Sequence, residues 1–423
     1  MIERQCNRRS LCNKSVLWLL FVSLLRFFLF TECAILNAAT EGTKHAAPAR
    51  QVLQAIDRAT NYMVKANDRN GKFIYRVALS SLNFPQKKYN ILRHAGAMYA
   101  LAQAWKQTPV ENVKNALSRS ARFLIANCIA PIPGYENILG IWSLPQITYN
   151  DNPPQVKLGG AGLGLAVLVD TEEILPGTIS IDNLRKIGRF LLFMQNSDGS
   201  FATRFLPAAG GKNSRHVSQY YPGEAALGLL MLYRMDRSRQ WLNAAAKGLA
   251  YLIKNRAITT ADQWSLIACA KLFSLGNDYP EKILPRRDVG AYARQVGLAI
   301  LEEQILYNDQ RQLTGCFNKQ GRTAPTATRV EALFAILDII GQNDVMLRNA
   351  ILSSIHSAVR FLIDAQVSEG KYTGGIPRVI GLSAVRRSSS RRADEIRIDY
   401  VQHLLSALLY FAKNQDSGYP THI

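Results

Sequence analysis

Apolar positions recur at helical spacing along most of the chain, and two kinds of segment alternate. One kind has a polar face and predicts amphipathic helices over Ala49–Lys65, Val113–Cys128, Ile181–Gln195, Gln240–Asn255, Val289–Leu306 and Leu347–Gln366. The other kind is apolar nearly all round and predicts helices over Arg93–Lys106, Gly159–Thr171, Gly223–Met235, Gln263–Leu275, Thr328–Gly341 and Tyr400–Lys413. Because helices that are apolar all round are buried, the second set is expected to form an inner layer wrapped by the first.

Six inner helices alternating with six outer helices are typical of an (α/α)6 toroid, although an open solenoid of helical hairpins would also alternate. The first outer helix, Ala49–Lys65, has no inner partner before it, and the last inner helix, Tyr400–Lys413, has no outer partner after it. Closing the ring would pair these two. Alternating Val, Ile and Thr are scarce, so we predict an all-α toroid as a single domain over residues 48–415, followed by a tail at residues 416–423.

A short polar turn with a glycine and an aromatic residue follows three of the outer helices. Three copies of this helix-and-turn segment occur, at Arg58–Phe73, Arg185–Phe201 and Val359–Tyr372. An internal repeat of this kind indicates an architecture built from repeated units.

The N-terminal segment has the features of a targeting signal. Basic residues precede the apolar run Val16–Phe30, and small residues follow it, which is typical of a secretory signal peptide within residues 1–39. Arg26 interrupts the run, which is also shorter than the roughly 20 residues that span a bilayer. A membrane anchor at residues 16–35 is the alternative. Either interpretation predicts an exported protein that is periplasmic, extracellular or membrane-anchored.

The chain is strongly basic, with a formal net charge of +20, and most of this charge lies beyond residue 50. Such a balance favours an anionic partner, such as an acidic polysaccharide or another anionic small molecule or polymer. The densest cluster, Arg386–Arg392, is interpreted as a solvated loop. Nucleic acid is not predicted as a partner, because no helix-turn-helix spacing, zinc ligands or aromatic and basic strand motif accompanies the charge.

No cofactor or metal is predicted. Cys128, Cys269 and Cys316 have no metal-like spacing and are expected to be small buried thiols. Asp151 and Asn152 offer oxygen ligands in a long loop, but without the spacing of a known calcium site.

The long connections all lead into inner helices, whereas the connections back to outer helices are short. The long connections are Ala66–Leu92, Ile129–Leu158, Asn196–Pro222 and Val367–Asp399. Long loops in a compact domain are usually functional, and the N-termini of helices attract anions. We therefore expect the functional site at the rim where the inner helices begin.

The openings of the inner helices combine acids or bases with aromatic residues. The candidate catalytic residues are Glu224, Asp262, Glu331, Asp399, His94 and His403. The candidate substrate-binding residues are Arg93, Lys157, Tyr220, Tyr221, Trp264 and Arg329. Two carboxylates that flank a sugar serve as general acid and base, the aromatic rings stack on sugars, and the cations hold an anionic group.

A structural interpretation of the same acids is equally open, because acids at helix starts cap the helix and complement its dipole. Glu224, Asp262 and Asp399 all fit that description. Pro222 suits the first turn of a helix, and Gly223 is expected to leave room for a ligand. Under the functional interpretation, Glu224 is an exposed rim carboxylate, and replacing it with Gln should abolish activity while leaving stability nearly unchanged. The capping interpretation predicts the opposite, a loss of stability with activity retained.

The turn after the third outer helix, Gln195–Phe201, resembles the Gln-x-x-Asp-Gly-Ser-Trp turn of terpenoid cyclases and related α-toroids, with Phe in place of Trp. Gln366–Tyr372 is a weaker copy. In that superfamily the turn joins outer helices structurally. The Asp-x-Asp-Asp motif of squalene-type cyclases is missing from the sequence, as is the Asp, Cys and His set of protein prenyltransferases, so the resemblance does not imply those chemistries.

The layout is also similar to the six-hairpin glycosidases and to the allied polysaccharide lyases and sugar epimerases. This resemblance implies an exported carbohydrate-active enzyme acting on an acidic polysaccharide or glycoconjugate, either a hydrolase or a lyase or epimerase. His94 or His403 with a tyrosine would suit a lyase or epimerase acting beside a uronate carboxylate. Two alternatives are a non-catalytic toroid that binds glycan or protein, and an isoprenoid-handling enzyme with an apolar funnel.

Overall fold

The computed structural model describes residues 48–80, 88–215, 218–255, 262–306, 312–342, 344–380 and 392–416. Within these residues the helices are α1 Ala49–Ala66, α2 Ile91–Gln107, α3 Glu111–Cys128, α4 Pro145–Thr148, α5 Leu158–Ile174, α6 Ile181–Met194, α7 Tyr221–Asp236, α8 Arg239–Asn255, α9 Gln263–Phe273, α10 Arg286–Glu303, α11 Thr323–Ile340, α12 Val345–Ala365 and α13 Ile398–Asp416. The strands are β1 Arg76–Ala78, β2 Ile129–Ile132, β3 Tyr135–Ser143, β4 Gln155–Lys157, β5 Arg204–Leu206, β6 Gly211–Asn213 and β7 Glu395–Arg397. The predicted signal segment, the Arg386–Arg391 part of the basic cluster and nearly all of the predicted tail lie outside the described residues.

All twelve predicted helices are present, with ends that differ from the prediction by up to five residues. The inner ring consists of α2, α5, α7, α9, α11 and α13; each packs on the next, and α13 packs on α2 to close the ring. The outer helix α1 packs against α13, which confirms the predicted closure and is incompatible with an open solenoid. Among the described helices, none has the length and apolar character needed to cross a bilayer.

The inner helices α5 and α7 pack closely because glycines face each other across the contact. A Cβ atom on Gly228 would lie 2.3 Å from the carbonyl oxygen of Gly162, well inside van der Waals contact. Any larger residue at Gly228 would therefore push the two helices apart, which explains why small residues recur in the inner set.

The Gln-x-x-Asp-Gly turn joins neighbouring outer helices, as the resemblance implied. Gln195 Nε2 donates to the carbonyl oxygen of Gly199 within the turn, at 3.1 Å, and to that of Ala244 on α8, at 2.9 Å. Gly199 has a φ of 93°, and a Cβ atom there would lie 2.5 Å from the carbonyl oxygen of Lys247. Glycine is thus required both by the backbone conformation and by the contact with α8.

The weaker copy of the turn closes the outer ring between α12 and α1. Gln366 Nε2 donates to the carbonyl oxygens of Ala55 (3.0 Å) and Gly374 (3.3 Å), and Gln366 Oε1 accepts from Arg58 Nε at 3.0 Å. The turn that seemed weaker in sequence therefore makes the larger number of side-chain hydrogen bonds.

A further copy follows α10 and was missed in the sequence. Gln304 Nε2 donates to Gly315 O at 3.1 Å and to Ser354 O on α12 at 2.9 Å. The acceptor in the turn lies eleven residues after the glutamine rather than four. The spacing of the motif is therefore lost although its geometry is kept.

The all-α prediction is incomplete, because the long rim loops contain strands. Strands β2 to β6 form a five-stranded antiparallel sheet in chain order, and β1 pairs with β7. Long loops carry many backbone polar groups that need partners, and strand pairing supplies them. Strands β4 and β7 run directly into α5 and α13, so the sheets fix the positions at which these inner helices begin.

Candidate functional site

A cavity of about 560 Å³ lies at the rim where the inner helices begin. All six inner helices contribute to its lining, each from its first turns. The structure therefore places a cavity where the long loops predicted the functional site.

Of the predicted residues, the cavity lining contains Arg93, Tyr220, Glu224, Trp264, Arg329, Asp399 and His403. Among the described residues it also contains six arginines, four of which the sequence analysis did not select. The six are Arg93, Arg322, Arg329, Arg378, Arg392 and Arg397. Among the described residues the lining contains two carboxylates, Glu224 and Asp399, so its positive side chains outnumber its negative ones.

The arginines missed in the sequence come from segments without helical periodicity. Arg322 lies just before α11 and is bridged to Val379, which brings Arg378 beside it. Arg392 ends the cluster interpreted as a solvated loop; its side chain is 43% exposed and donates to Glu395 at 2.6 Å. No local sequence pattern marks these positions, because the segments that carry them are distant in sequence and come into contact only in the folded ring.

Asp399 is held by two arginines, Arg93 and Arg397. Its Oδ2 atom accepts from Arg93 Nε at 2.9 Å and from Arg397 Nη2 at 2.9 Å, and its Oδ1 atom accepts from Arg397 Nε at 2.5 Å. Burial alone would raise the pKa of Asp399, but the two guanidinium groups outweigh it and hold this pKa below its usual range. Asp399 is therefore an ionised carboxylate that fixes two cavity arginines, and it is poorly suited to donating or accepting a proton.

His403 and Glu331 form a buried pair at the wall of the cavity. His403 Nδ1 lies 3.0 Å from Glu331 Oε2, and the histidine faces the cavity while the glutamate lies behind it. Burial would lower the pKa of His403, but Glu331 and Asp399 raise it above its ordinary value. Burial also raises the pKa of Glu331. A histidine oriented by a carboxylate in this way is arranged to exchange a proton through its other ring nitrogen.

Glu224 lines the cavity but is only 3% exposed, so the expectation of an exposed rim carboxylate is wrong. Burial, and secondarily the Asp262 carboxylate, raise the pKa of Glu224 well above its ordinary value. Its Oε2 atom is buried and has no hydrogen-bond partner among the described residues. Burial therefore favours the neutral carboxylic acid form of Glu224, which faces the cavity.

The glycines around Glu224 serve helix packing. A Cβ atom on Gly159 would lie 1.9 Å from Glu224 Oε2, so the start of α5 makes room for this carboxyl group. A Cβ atom on Gly223 would lie 2.5 Å from the backbone nitrogen of Ser265. Gly223 thus makes room for α9 and not, as expected from the sequence, for a ligand. Pro222 does occupy the first turn of α7.

Asp262 does not line the cavity and is fully buried as the N-cap of α9. It accepts from the backbone nitrogen of Trp264 at 3.1 Å and from the hydroxyl of Ser265. The capping interpretation is therefore the right one for Asp262, and its charge acts on the site by raising the pKa of Glu224.

The aromatic candidates differ in how much surface they offer. Trp264 is only 4% exposed, and its ring packs edge-on against Tyr99 at 5.5 Å and tilted against His403 at 6.1 Å. It forms part of the wall and is not an open stacking platform. Tyr220 is 39% exposed and lines the cavity, whereas Tyr221 is half-buried beside Gly159 outside the lining.

His94 lies outside the lining in a buried aromatic cluster with Phe73, Tyr89 and Phe123. Its ring nitrogens lie 2.7 Å from the Tyr89 hydroxyl and 3.0 Å from the carbonyl oxygen of Ser120. Burial lowers the pKa of His94 to about 4. His94 is thus a satisfied core residue, and the catalytic role predicted for it is not supported by its position.

The remaining basic candidates occupy different places. Arg329 lines the cavity and donates to Glu303 at 2.9 Å, whereas Lys157 lies at the start of α5 outside the lining.

The three cysteines among the described residues are buried free thiols, as expected. In the described part of the chain, no three His, Cys, Asp or Glu side chains form a group that could hold a metal ion.

Several solved structures share the fold of this chain but have low sequence identity with it. The chain is similar to D-mannose isomerase, with a TM-score of 0.61 and 13% identity over 87% of this chain and 99% of that chain. It is similar to cellobiose 2-epimerase from Bacillus thermoamylovorans, with a TM-score of 0.60 and 10% identity over 86% and 98%. It is also similar to unsaturated glucuronyl hydrolase from Streptococcus agalactiae, with a TM-score of 0.54 and 14% identity over 87% and 94%. Family models and curated proteins gave no match.

These similarities confirm the resemblance to the six-hairpin glycosidase-like enzymes. At identities this low they show the fold alone, which is that of the (α/α)6 toroid.

Proposed function

We propose that this protein is a carbohydrate-active enzyme that moves a proton on an acidic sugar unit, in an epimerisation or an elimination. The observation that carries the proposal is the His403–Glu331 pair in the wall of a cavity that six arginines line. The structurally similar proteins are named as a sugar isomerase, a sugar epimerase and a glucuronyl hydrolase, which supports a sugar as the substrate class.

The arginines supply the first requirement of this chemistry. Removing a proton from the carbon beside a carboxylate places further negative charge on that carboxylate, and guanidinium groups fixed around it stabilise the charge. Arg93 and Arg397 are held in place by Asp399 and so are preorganised for this task. Because arginines outnumber carboxylates in the described lining, an acidic sugar suits this cavity better than an uncharged one.

His403 and Glu224 supply the base and the acid. His403, made more basic by Glu331, would take the proton from the carbon beside the carboxylate. Glu224, which is neutral, would return a proton to the carbon in an epimerisation. In an elimination it would instead protonate the departing oxygen as the carbon–oxygen bond breaks and a double bond forms.

Hydrolysis is the second candidate, and the carboxylates favour it less. A glycosidase needs one carboxylic acid and one free carboxylate on the two sides of the glycosidic bond. Glu224 suits the first role, but both oxygens of Asp399 already accept hydrogen bonds from arginines. An isoprenoid-handling function is disfavoured because the cavity is lined by charged side chains and not by an apolar floor.

The test is incubation of the protein with uronate-containing oligosaccharides in deuterated water. Epimerisation would incorporate deuterium at the carbon beside the carboxylate, elimination would produce the ultraviolet absorbance of an unsaturated uronate, and hydrolysis would release reducing ends without either signal. We expect one of the first two, and we expect His403→Gln to abolish it. Reducing ends alone would overturn the proposed chemistry, and binding without any turnover would favour the non-catalytic alternative.

A matched control is His356→Gln. His356 lies on the outer helix α12 and packs against Phe411 at 5.0 Å, outside the cavity lining. We expect this variant to keep its activity. An equal loss in both histidine variants would indicate damage to the fold and not to the site.

We also propose that the protein is exported, with a signal peptide in residues 1–39 or an anchor at residues 16–35, and that residues 48–415 form one toroid domain. The basic residues before the apolar run Val16–Phe30 support this proposal. Cell fractionation with N-terminal sequencing tests it. Full-length protein free in the cytoplasm would contradict both versions.

A further inference from the structure

Two basic side chains lie directly opposite each other beside the cavity. Strands β4 and β5 are antiparallel, and Lys157 pairs with Arg204 in their register. Like charges directly opposite each other destabilise a strand pair. Neither side chain has an acidic partner among the described residues, and Arg204 Nε is buried without any hydrogen-bond partner there. The local structure therefore bears an electrostatic cost that nothing in the described chain offsets.

Arg93 brings a third positive charge to the same place. Burial lowers the pKa of Lys157, and Arg204 and Arg93 lower it further, which shows that the three groups act on one another. The same two arginines also act on the half-buried Tyr221. Arg93 lines the cavity as well, so this cluster and the cavity share a side chain.

The start of helix α5 faces the same cluster. Lys157 is the N-cap of this 17-residue helix and provides no side-chain cap, so the first backbone N–H groups lack a capping acceptor from that residue. A Cβ atom on the buried Gly160 would lie 4.0 Å from the Cβ atom of Lys157 and from a backbone atom of α2, so it would be accommodated at ordinary van der Waals contact. The nearest backbone atom is the nitrogen of Leu92, which lines the cavity. The N–H of Leu158 already donates to the carbonyl oxygen of Thr203 at 3.0 Å, and the helix dipole favours an anion beside the remaining N–H groups of this turn.

We propose that Lys157, Arg204, Arg93 and the first turn of α5 form a second anion-binding subsite, which holds the carboxylate or sulfate group of the sugar unit next to the one in the cavity. This inference rests on the proposed function and extends it. The substrate is an oligomer or polymer with charges on neighbouring units, and the single charged sugar occupies only part of the site.

The experiment compares the binding of galacturonic acid and of its trimer to the protein by calorimetry. We expect the double variant Lys157→Gln/Arg204→Gln to bind the trimer about tenfold more weakly than the unchanged protein, which corresponds to the loss of about 1.4 kcal/mol. Its affinity for the monomer should be unchanged. In the unchanged protein, the ratio of trimer affinity to monomer affinity should also decrease as salt is added, because salt screens the additional ion pairs. An unchanged trimer affinity, or an equal loss for monomer and trimer, would overturn the subsite.

The control variant is Lys212→Gln. Lys212 lies on β6 of the same sheet, is exposed, and packs over the Phe193 ring at 4.4 Å. Its replacement removes one positive charge from the sheet, half of what the double variant removes, without touching the cluster. We expect it to bind both sugars normally. Because Lys157 and Arg204 repel each other, the double variant should be at least as stable as the unchanged protein, which separates a binding role from a structural one.

A second measurement separates this inference from the proposed function. Inorganic sulfate should raise the melting temperature of the unchanged protein more than that of the double variant, whether or not any sugar acid binds. If no uronate binds but this difference is found, the proposed function fails and the anion subsite stands. An equal effect of sulfate on both proteins would overturn the subsite itself.

Discussion

Replacing Glu224 with Gln tests whether this residue is a buried neutral acid. The substitution keeps the size and shape of the side chain, which matters because the carboxyl group packs against the start of α5 at Gly159. It also removes the ionisation. Since Glu224 is 3% exposed and its Oε2 atom has no partner among the described residues, deprotonating it leaves an uncompensated charge in the fold.

The magnitude and its pH dependence follow from burial. A carboxyl group whose pKa is higher in the folded than in the unfolded protein costs stability as pH rises above its unfolded value of about 4.3. An unsatisfied buried group costs about 1–3 kcal/mol and a charged one costs more, so a carboxylate at this position is less favourable than the neutral amide that replaces it by an amount of this order. We therefore expect Glu224→Gln to raise the free energy of unfolding by about this amount at about pH 8, and the difference to vanish towards about pH 4.

The assay is urea denaturation of both proteins across this pH range, together with the turnover measurement. Turnover should fall by about 10²–10⁴-fold, since the amide cannot donate the proton. Glu369→Gln is the control, because Glu369 is exposed in the turn after α12 and should show neither effect. A variant that is less stable than the unchanged protein at about pH 8, or a difference independent of pH, would refute the assignment of Glu224 as a buried neutral acid.

Three further outcomes are expected. Replacing Glu331 with Gln removes the group that raises the pKa of His403. Because His403 must be neutral to act as a base, the rising limb of the pH profile of kcat/KM should move to lower pH. A rising limb at the same pH in both proteins would contradict the pairing of His403 with Glu331. Gln366→Ala removes three hydrogen bonds and should cost about 3 kcal/mol in urea denaturation, against about 2 kcal/mol for the two bonds of Gln195. Equal losses would mean that the additional bond from Arg58 contributes nothing to stability. Arg322→Gln should raise KM for an acidic sugar about tenfold. The same rise in KM for a neutral sugar would show that Arg322 does not recognise the negative charge of the substrate.

The helices and the ring could be predicted because their signals are local. Burial on one face or on all faces leaves a periodic pattern in each segment, and the unpaired first and last helices indicated closure before any contact was known. The rim strands escaped prediction because pairing partners such as Ala78 and Glu395 lie far apart in the chain, and short strands have little pattern of their own.

The location of the cavity and part of its lining were predictable. The rim, Glu224 and His403 followed from the long loops and from the helix openings. Protonation and exposure did not, because they depend on neighbours: His94 and Asp262 have the same residue types as true cavity groups, yet their partners make one a core residue and the other a cap.

By itself, therefore, the sequence determined which segments are helices, which of them are buried and at which end the long loops gather. Only the tertiary structure decided which charges meet. Asp399 joins Arg93 from 306 positions away, and Glu331 turns His403 into a stronger base from another inner helix. The physical reason is that periodic burial is written into each segment, whereas an ion pair or a shifted pKa is a property of two groups that only the closed ring brings together.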